Sequence, residues 1–140
     1  MTFVVPGKVQ GKGRPRFTKR GNTYTPKATK DYENLIKQCY LLSPEEHHVS
    51  DKPISLSVIA YFKPPKSISK KLKLLMISEE ILPTKKPDGD NIQKAIADAL
   101  NGIAYSDDKQ IVDWSLKKRY ADKECLIITI EEIKANEVIE

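Results

Sequence analysis

The segment Asp88-Gly89-Asp90-Asn91-Ile92-Gln93-Lys94-Ala95-Ile96-Ala97-Asp98-Ala99-Leu100 reads as an amphipathic helix that carries chemistry on its outer side. At about 100° per residue, Ile92, Ala95, Ile96 and Ala99 gather on one side, with Ile103 beyond the end of the helix. Asp90, Lys94 and Asp98 form an i, i+4, i+8 stripe opposite them. The apolar side needs a second layer to cover it, so the stripe faces solvent or a ligand. Asp88 and Asp90 stand where the helix begins, and one of them is expected to cap the free N–H groups there. Capping accounts for one acid but not for the other. Gly102 suits a left-handed position just past the helix. The next few residues are then expected to turn the chain back and leave Asp107 and Asp108 at the entry to a strand. If one of that pair returns to the helix start, three carboxylates meet, the donor type preferred by Mg²⁺ and Mn²⁺.

Working outward, residues 3–9 read as a first strand. Gly11, Gly13, Pro15, Gly21 and Pro26 then punctuate a loop or hairpin. Residues 27–42 repeat apolar side chains at helical spacing through Tyr32, Leu35, Ile36, Cys39 and Tyr40, and Ser43-Pro44 ends the run. Residues 54–62 alternate as a strand, and residues 67–77 read as a short cationic helix. Its expected apolar stripe is Ile68, Leu72, Leu75 and Met76, with Lys70, Lys71 and Lys73 outside. Residues 81–87 are expected to be extended. Residues 110–120 and 124–133 read as two strands joined by a turn around Asp122. Val112, Trp114, Leu116 and Tyr120 share one face of the first of these and are expected to pack within the subunit. Strands and helices are mixed without regular βαβ alternation. The expected fold is therefore α+β, a two-layer arrangement with a mixed β-sheet and helices packed on one face. A chain of 140 residues suits one domain over residues 1–140.

The charge is unevenly placed. The net is +5, yet residues 1–30 hold eight cations and no acid, so the remainder is net −3. Such an arm suits phosphate contacts driven by counterion release, although an ordinary solvated basic arm looks the same in sequence. No apolar run approaches the ~20 residues of a bilayer span, and the N-terminus lacks an export signal, so a cytoplasmic protein is expected. Cys39 and Cys125 make no disulfide framework.

Other acidic and catalytic motifs fail residue by residue. An EF-hand would need Asp or Asn at position 92, Gly at 93 and Glu at 99, where the chain has Ile92, Gln93 and Ala99. Zinc is disfavoured because His47-His48 is an isolated pair with no cysteine at ligand spacing. No Walker-type loop and no Ser-His-Asp order stands out.

Three ordered motifs, Lys86-Pro87-Asp88-Gly89-Asp90-Asn91-Ile92-Gln93-Lys94, Asp98-Ala99-Leu100-Asn101-Gly102 and Asp107-Asp108-Lys109-Gln110-Ile111, resemble the signature of the RusA family of Holliday junction resolvases. Pro6-Gly7-Lys8, then Lys12-Gly13-Arg14-Pro15-Arg16-Phe17 and Tyr24-Thr25-Pro26, resemble the opening of its phage-type members, as does Pro65-Lys66-Ser67. The likeness spans nearly the whole chain. It implies a homodimeric, Mg²⁺- or Mn²⁺-dependent endonuclease, often of phage or prophage origin, that nicks four-way DNA junctions symmetrically. The expected substrate is branched DNA, with no small-molecule substrate and no membrane partner.

Carried over by position, the resemblance assigns Asp88, Asp90 and Asp108 to metal and catalysis and Lys94 to the active-site lysine. The position before the first aspartate, basic in some members, is Pro87 here, so that charge falls to Lys85 or Lys86. Asn91, Asp98 and Asp107 are expected in supporting roles, with Asp98 orienting Lys94 through an i, i+4 pair. DNA contacts are expected from Lys12, Arg14, Arg16, Lys19 and Arg20, and from a second patch containing Lys70, Lys71, Lys85 and Lys86. Two alternatives stand beside this reading: a nuclease for other branched or flap DNA, and a non-cutting junction-binding protein of the same fold.

Overall fold

The computed structural model describes residues 1–134, and the end of the acidic C-terminal segment, 135–140, lies outside the described residues. The elements are β1 (Thr2–Pro6), β2 (Arg16–Phe17), β3 (Thr23–Tyr24), α1 (Lys27–Leu42), β4 (Ile54–Phe62), α2 (Lys70–Ile77), α3 (Gly89–Leu100), β5 (Ile111–Tyr120) and β6 (Cys125–Glu132). Four strands form a mixed sheet in the order β1-β6-β4-β5, and β2 and β3 make a small separate hairpin. The α+β expectation holds.

One face of the sheet is buried. Phe3 and Val5 of β1, Leu56, Val58, Ala60 and Phe62 of β4, and Leu126, Ile128 and Ile130 of β6 all point into the core. Against them pack Tyr32, Ile36 and Tyr40 of α1 and Ile92, Ala95, Ile96, Ala99 and Leu100 of α3. The apolar side read from the sequence of α3 is thus the buried side, and its stripe of Asp90, Lys94 and Asp98 is exposed.

Some expectations are corrected. The first strand stops at Pro6 because Gly7 turns with φ +93°. The helix expected over 67–77 begins at Lys70, where the Ser69 hydroxyl accepts from the Leu72 N–H. Its apolar stripe is only partly covered: Ile68, Leu75 and Met76 are half-buried, whereas Leu72 is exposed and no residue of α2 is fully buried. Lys73 of α2 pairs with Asp122 at 3.6 Å, and just past the helix Glu79 meets Arg119 at 3.3 Å. Residues 81–87 form neither a helix nor a strand. The turn around Asp122 joins β5 to β6 as expected, although the two strands are not neighbours: β4 lies between them, parallel to the first and antiparallel to the second.

The last correction concerns β5. Ile54 pairs with Ile111, but Ser55 pairs with Asp113, so Val112 is an extra residue in the strand. This β-bulge breaks the strict alternation read from the sequence. Paired residues share a face, which puts Ile111 and Trp114 together on the core side beside Ile54 and Leu56. Leu116 and Tyr120 pack against the core as expected, whereas Val112 and Trp114 remain exposed.

Candidate active site

Asp88 occupies the position that opens α3, and its backbone carbonyl accepts the first helical hydrogen bond from Ile92 N–H at 3.1 Å. Its carboxylate makes no capping bond. The expected use of an acid as a cap is therefore not met at Asp88, and the side chain is left for other work. Asp90 lies in the first turn, where the positive end of the helix dipole favours an anion. One turn on, Lys94 extends from the same face.

Beyond Leu100 the chain reverses through Gly102, at φ +77°. The N–H of Gly102 donates to Tyr105 O, and those of Ile103 and Ala104 return to Leu100 O. Tyr105 is fully buried, and its hydroxyl donates to Ala97 O at 2.7 Å, which ties the reversal to the helix it follows. Buried Ser50 brackets the same turn, donating through N–H to Ala104 O and accepting from Ser106 N–H. The expected return past Gly102 is present, but the roles of Tyr105 and Ser50 were not signalled by any spacing in the sequence.

Asp107 and Asp108 divide their labour. Asp107 opens the short 3₁₀ helix Asp108–Gln110 with a reciprocal cap: its carboxylate accepts from Lys109 N–H, and its own N–H donates to Gln110 Oε1. The backbone bond from Lys109 holds the Asp107 carboxyl below the usual carboxylate range. Asp108 is pushed the other way, first by desolvation and then by the neighbouring carboxylates of Asp107 and Asp98.

Asp90, Lys94 and Asp108 line one hollow with Asp98 and Trp114. At about 250 Å³ it falls below the ~300–1,000 Å³ of small-molecule sites. Asp88 opens instead onto an adjoining hollow with Lys8, Arg14, Lys86 and Asn91. Among the described residues, no three His, Cys, Asp or Glu side chains stand together as a ready-made metal cage. Asp88, Asp90, Asp108 and Lys94 also form no ion pairs among the described residues.

The basic arm is fastened to this helix. Lys12 N–H donates to Asn91 O at 2.8 Å, and a Cβ on Gly11 would sit 2.9 Å from both Asn91 and Pro87, so only glycine fits without displacement. The Lys12 ammonium lies 2.9 Å from Glu33 of α1 and 2.8 Å from Asp98 of α3. Two expectations change as a result. Lys12 is engaged within the fold rather than free for DNA, and Asp98 pairs with Lys12 rather than orienting Lys94. Arg14, Arg16, Lys19 and Arg20 are exposed on the arm and its hairpin, and Lys70 and Lys71 are exposed on α2. The Lys85 ammonium sits 5.5 Å from the centre of the Phe62 ring, while Lys86 reaches the hollow beside Asp88.

Residues 6–131 match the endodeoxyribonuclease RusA family. The chain belongs to the RusA family. An uncharacterised protein of Bacillus subtilis (strain 168), YqaN, is 34% identical over 95% of this chain and 96% of its own length. RusA-family proteins are endodeoxyribonucleases, so this chain is a DNA-cutting enzyme by family.

The donor chemistry, though not a ready-made cage among the described residues, suits the divalent cation on which RusA-family nucleases generally depend. The donors are carboxylates, the hard oxygen ligands such an ion takes. Asp90 and Asp108 already share a hollow and, among the described residues, lack ion-pair partners. Asp108 is pushed up partly by neighbouring negative charge, which a cation would relieve. Within the RusA frame, the residues that sequence reasoning missed are Lys8, Gly11 and Trp114. The two glycines that flank Lys12 were the one visible signal for the close approach at Gly11.

Proposed function

We propose that this protein is a Holliday junction resolvase, cutting four-way DNA by paired symmetric nicks as a homodimer with Mg²⁺, or Mn²⁺, at its active site. The observation that carries the reading is the hollow shared by Asp90, Lys94 and Asp108, set beside an uncommitted Asp88 and a cation-lined flank. Residues 1–140 act as one domain, in the cytoplasm, in recombination and repair of phage or prophage type.

Asp88, Asp90 and Asp108 would hold the ion, with Asp88 turning toward the other two because no cap restrains it. A bound divalent ion would polarise the scissile phosphate and lower the pKa of the attacking water. Lys94 stands one turn from Asp90 with its ammonium unpaired among the described residues, so it can stabilise charge on the phosphate or the leaving oxygen. Lys8, Arg14 and Lys86 flank Asp88 and hold the adjacent backbone. Two opposed strands need two such centres, which is the reason for a dimer.

Purified protein is incubated with Mg²⁺ or Mn²⁺ and synthetic four-way, three-way, flap or duplex DNA. Symmetric nicks in the four-way junction are expected, and they should be lost in Asp88→Asn, Asp90→Asn and Asp108→Asn proteins that still bind the junction. Full nicking by Asp90→Asn protein would overturn the site. Preference for flaps or three-way forms would replace junction resolution with a broader branched-DNA nuclease.

A further inference from the structure

Trp114 was expected to be a packing residue, yet it stands 39% exposed on the wall of the hollow that contains Asp90, Lys94 and Asp108. Three observations bear on its role. The Val112 bulge turns Trp114 onto the face of the sheet beside α3, where strict alternation through Ile111 would have turned it away. Its neighbour on that face, Leu116, is tucked under the start of α3, 3.6 Å from where a Gly89 side chain would begin, so Trp114 lies at the open rim of that packing. Among the described residues, no other aromatic ring pairs with the indole. A large flat apolar surface is thus presented to solvent on the same hollow as Asp90, Lys94 and Asp108. Next to a phosphodiester in branched DNA, the chemistry that matches an open π face is an unstacked nucleobase.

We propose that Trp114 stacks on a nucleobase next to the scissile phosphate and thereby helps select which nucleotide step is cut. This rests on the junction-nuclease reading above. Trp114 is the only tryptophan in the chain, so its fluorescence reports the contact directly. The protein is titrated without divalent ions against a four-way junction with natural bases around the crossover, and against the same junction with abasic sites there. Binding is followed in parallel by mobility shift.

Quenching by the natural junction, largely lost with the abasic one while binding persists, is expected. Trp114→Ala should lower kcat/KM on the order of tenfold to a hundredfold, the size of one base stack, and flatten the preference among cleavage sites. Trp114→Phe should recover most of the rate, because it keeps a ring. Tight binding of the natural junction without quenching would overturn the stacking alone. Failure to bind any branched DNA would overturn the junction reading, and the stacking with it.

Discussion

Asp108 is the residue that the fold holds at a disadvantage. Its carboxyl is raised above the ordinary aspartate value by desolvation, with Asp107 and Asp98 adding negative charge nearby. A raised acid binds its proton more tightly folded than unfolded, so the contribution of Asp108 to stability is greatest at low pH. That contribution is lost as pH rises from the ordinary value through the raised one. At neutral pH without divalent ions, Asp108→Asn should therefore melt at or above the wild-type temperature although it no longer cuts DNA. Scanning calorimetry in chelator checks this, and a clear drop in Tm would contradict it. Adding Mg²⁺ should raise the Tm of the wild type and leave the variant unmoved. Asp107 behaves in the opposite sense. Its lowered carboxyl supports the turn above the ordinary value, and that support fades as pH falls through the lowered one.

At the scale of elements, the Lys12 clamp is what places the arm against α3. Burial pulls the Lys12 ammonium down, but the bonds from Asp98 and Glu33 outweigh it, and its pKa lies above the ordinary lysine value. The clamp is therefore complete below that ordinary value and is released as pH rises through the raised one. Lys12→Ala would leave Glu33 and Asp98 facing each other across the α1–α3 packing. The three groups are partly solvated, so a loss of about 1–2 kcal/mol is expected by urea denaturation. Nicking should fall as well, because the arm is displaced. A variant as stable and active as wild type would remove the clamp from the account.

The elements differ in how far their sequence revealed them. α1, β4 and α3 were legible because each keeps one period long enough to bury one face. The stripe of α2 is only half-covered, and apolar spacing alone does not say how much of another layer lies over it. Asp98 and Lys94 stand four residues apart and looked like partners, but a lysine eighty-six positions earlier in the chain takes that carboxylate. Asp88 was legible as the helix start, whereas the freedom of its carboxylate depends on a side-chain rotation that sequence does not record. The bulge in β5 has no local signature in Ile111-Val112-Asp113, and it decides which way Trp114 points.

For the molecule as a whole, charge and fold divide along the same line. The arm's exposed cations flank the acidic helix start, so DNA backbone would meet positive charge before it meets carboxylates. Binding should weaken steeply with salt, and an Arg14→Ala, Arg16→Ala double variant should reduce the log–log slope by about 2, near one counterion per lost phosphate contact. A filter-binding titration measures it, and an unchanged slope would take the arm out of the interface. The uneven charge was plain from the composition of residues 1–30. The strand order was not, because parallel pairing of β4 with β5 arises from a long crossover between them rather than from any local turn.

Val112 makes its contribution by being left out of the count. Serine or threonine there should be harmless, since the side chain lies in water. Even its removal should be mild, because Ile111-Asp113-Trp114 would then alternate regularly and keep Ile111 and Trp114 on one side. Drawing Val112 into the ladder as an ordinary rung is another matter: Ile111 and Trp114 would fall on opposite sides. The kink thus lets the strand carry a surplus residue without forfeiting either its plug in the interior or its aromatic rim.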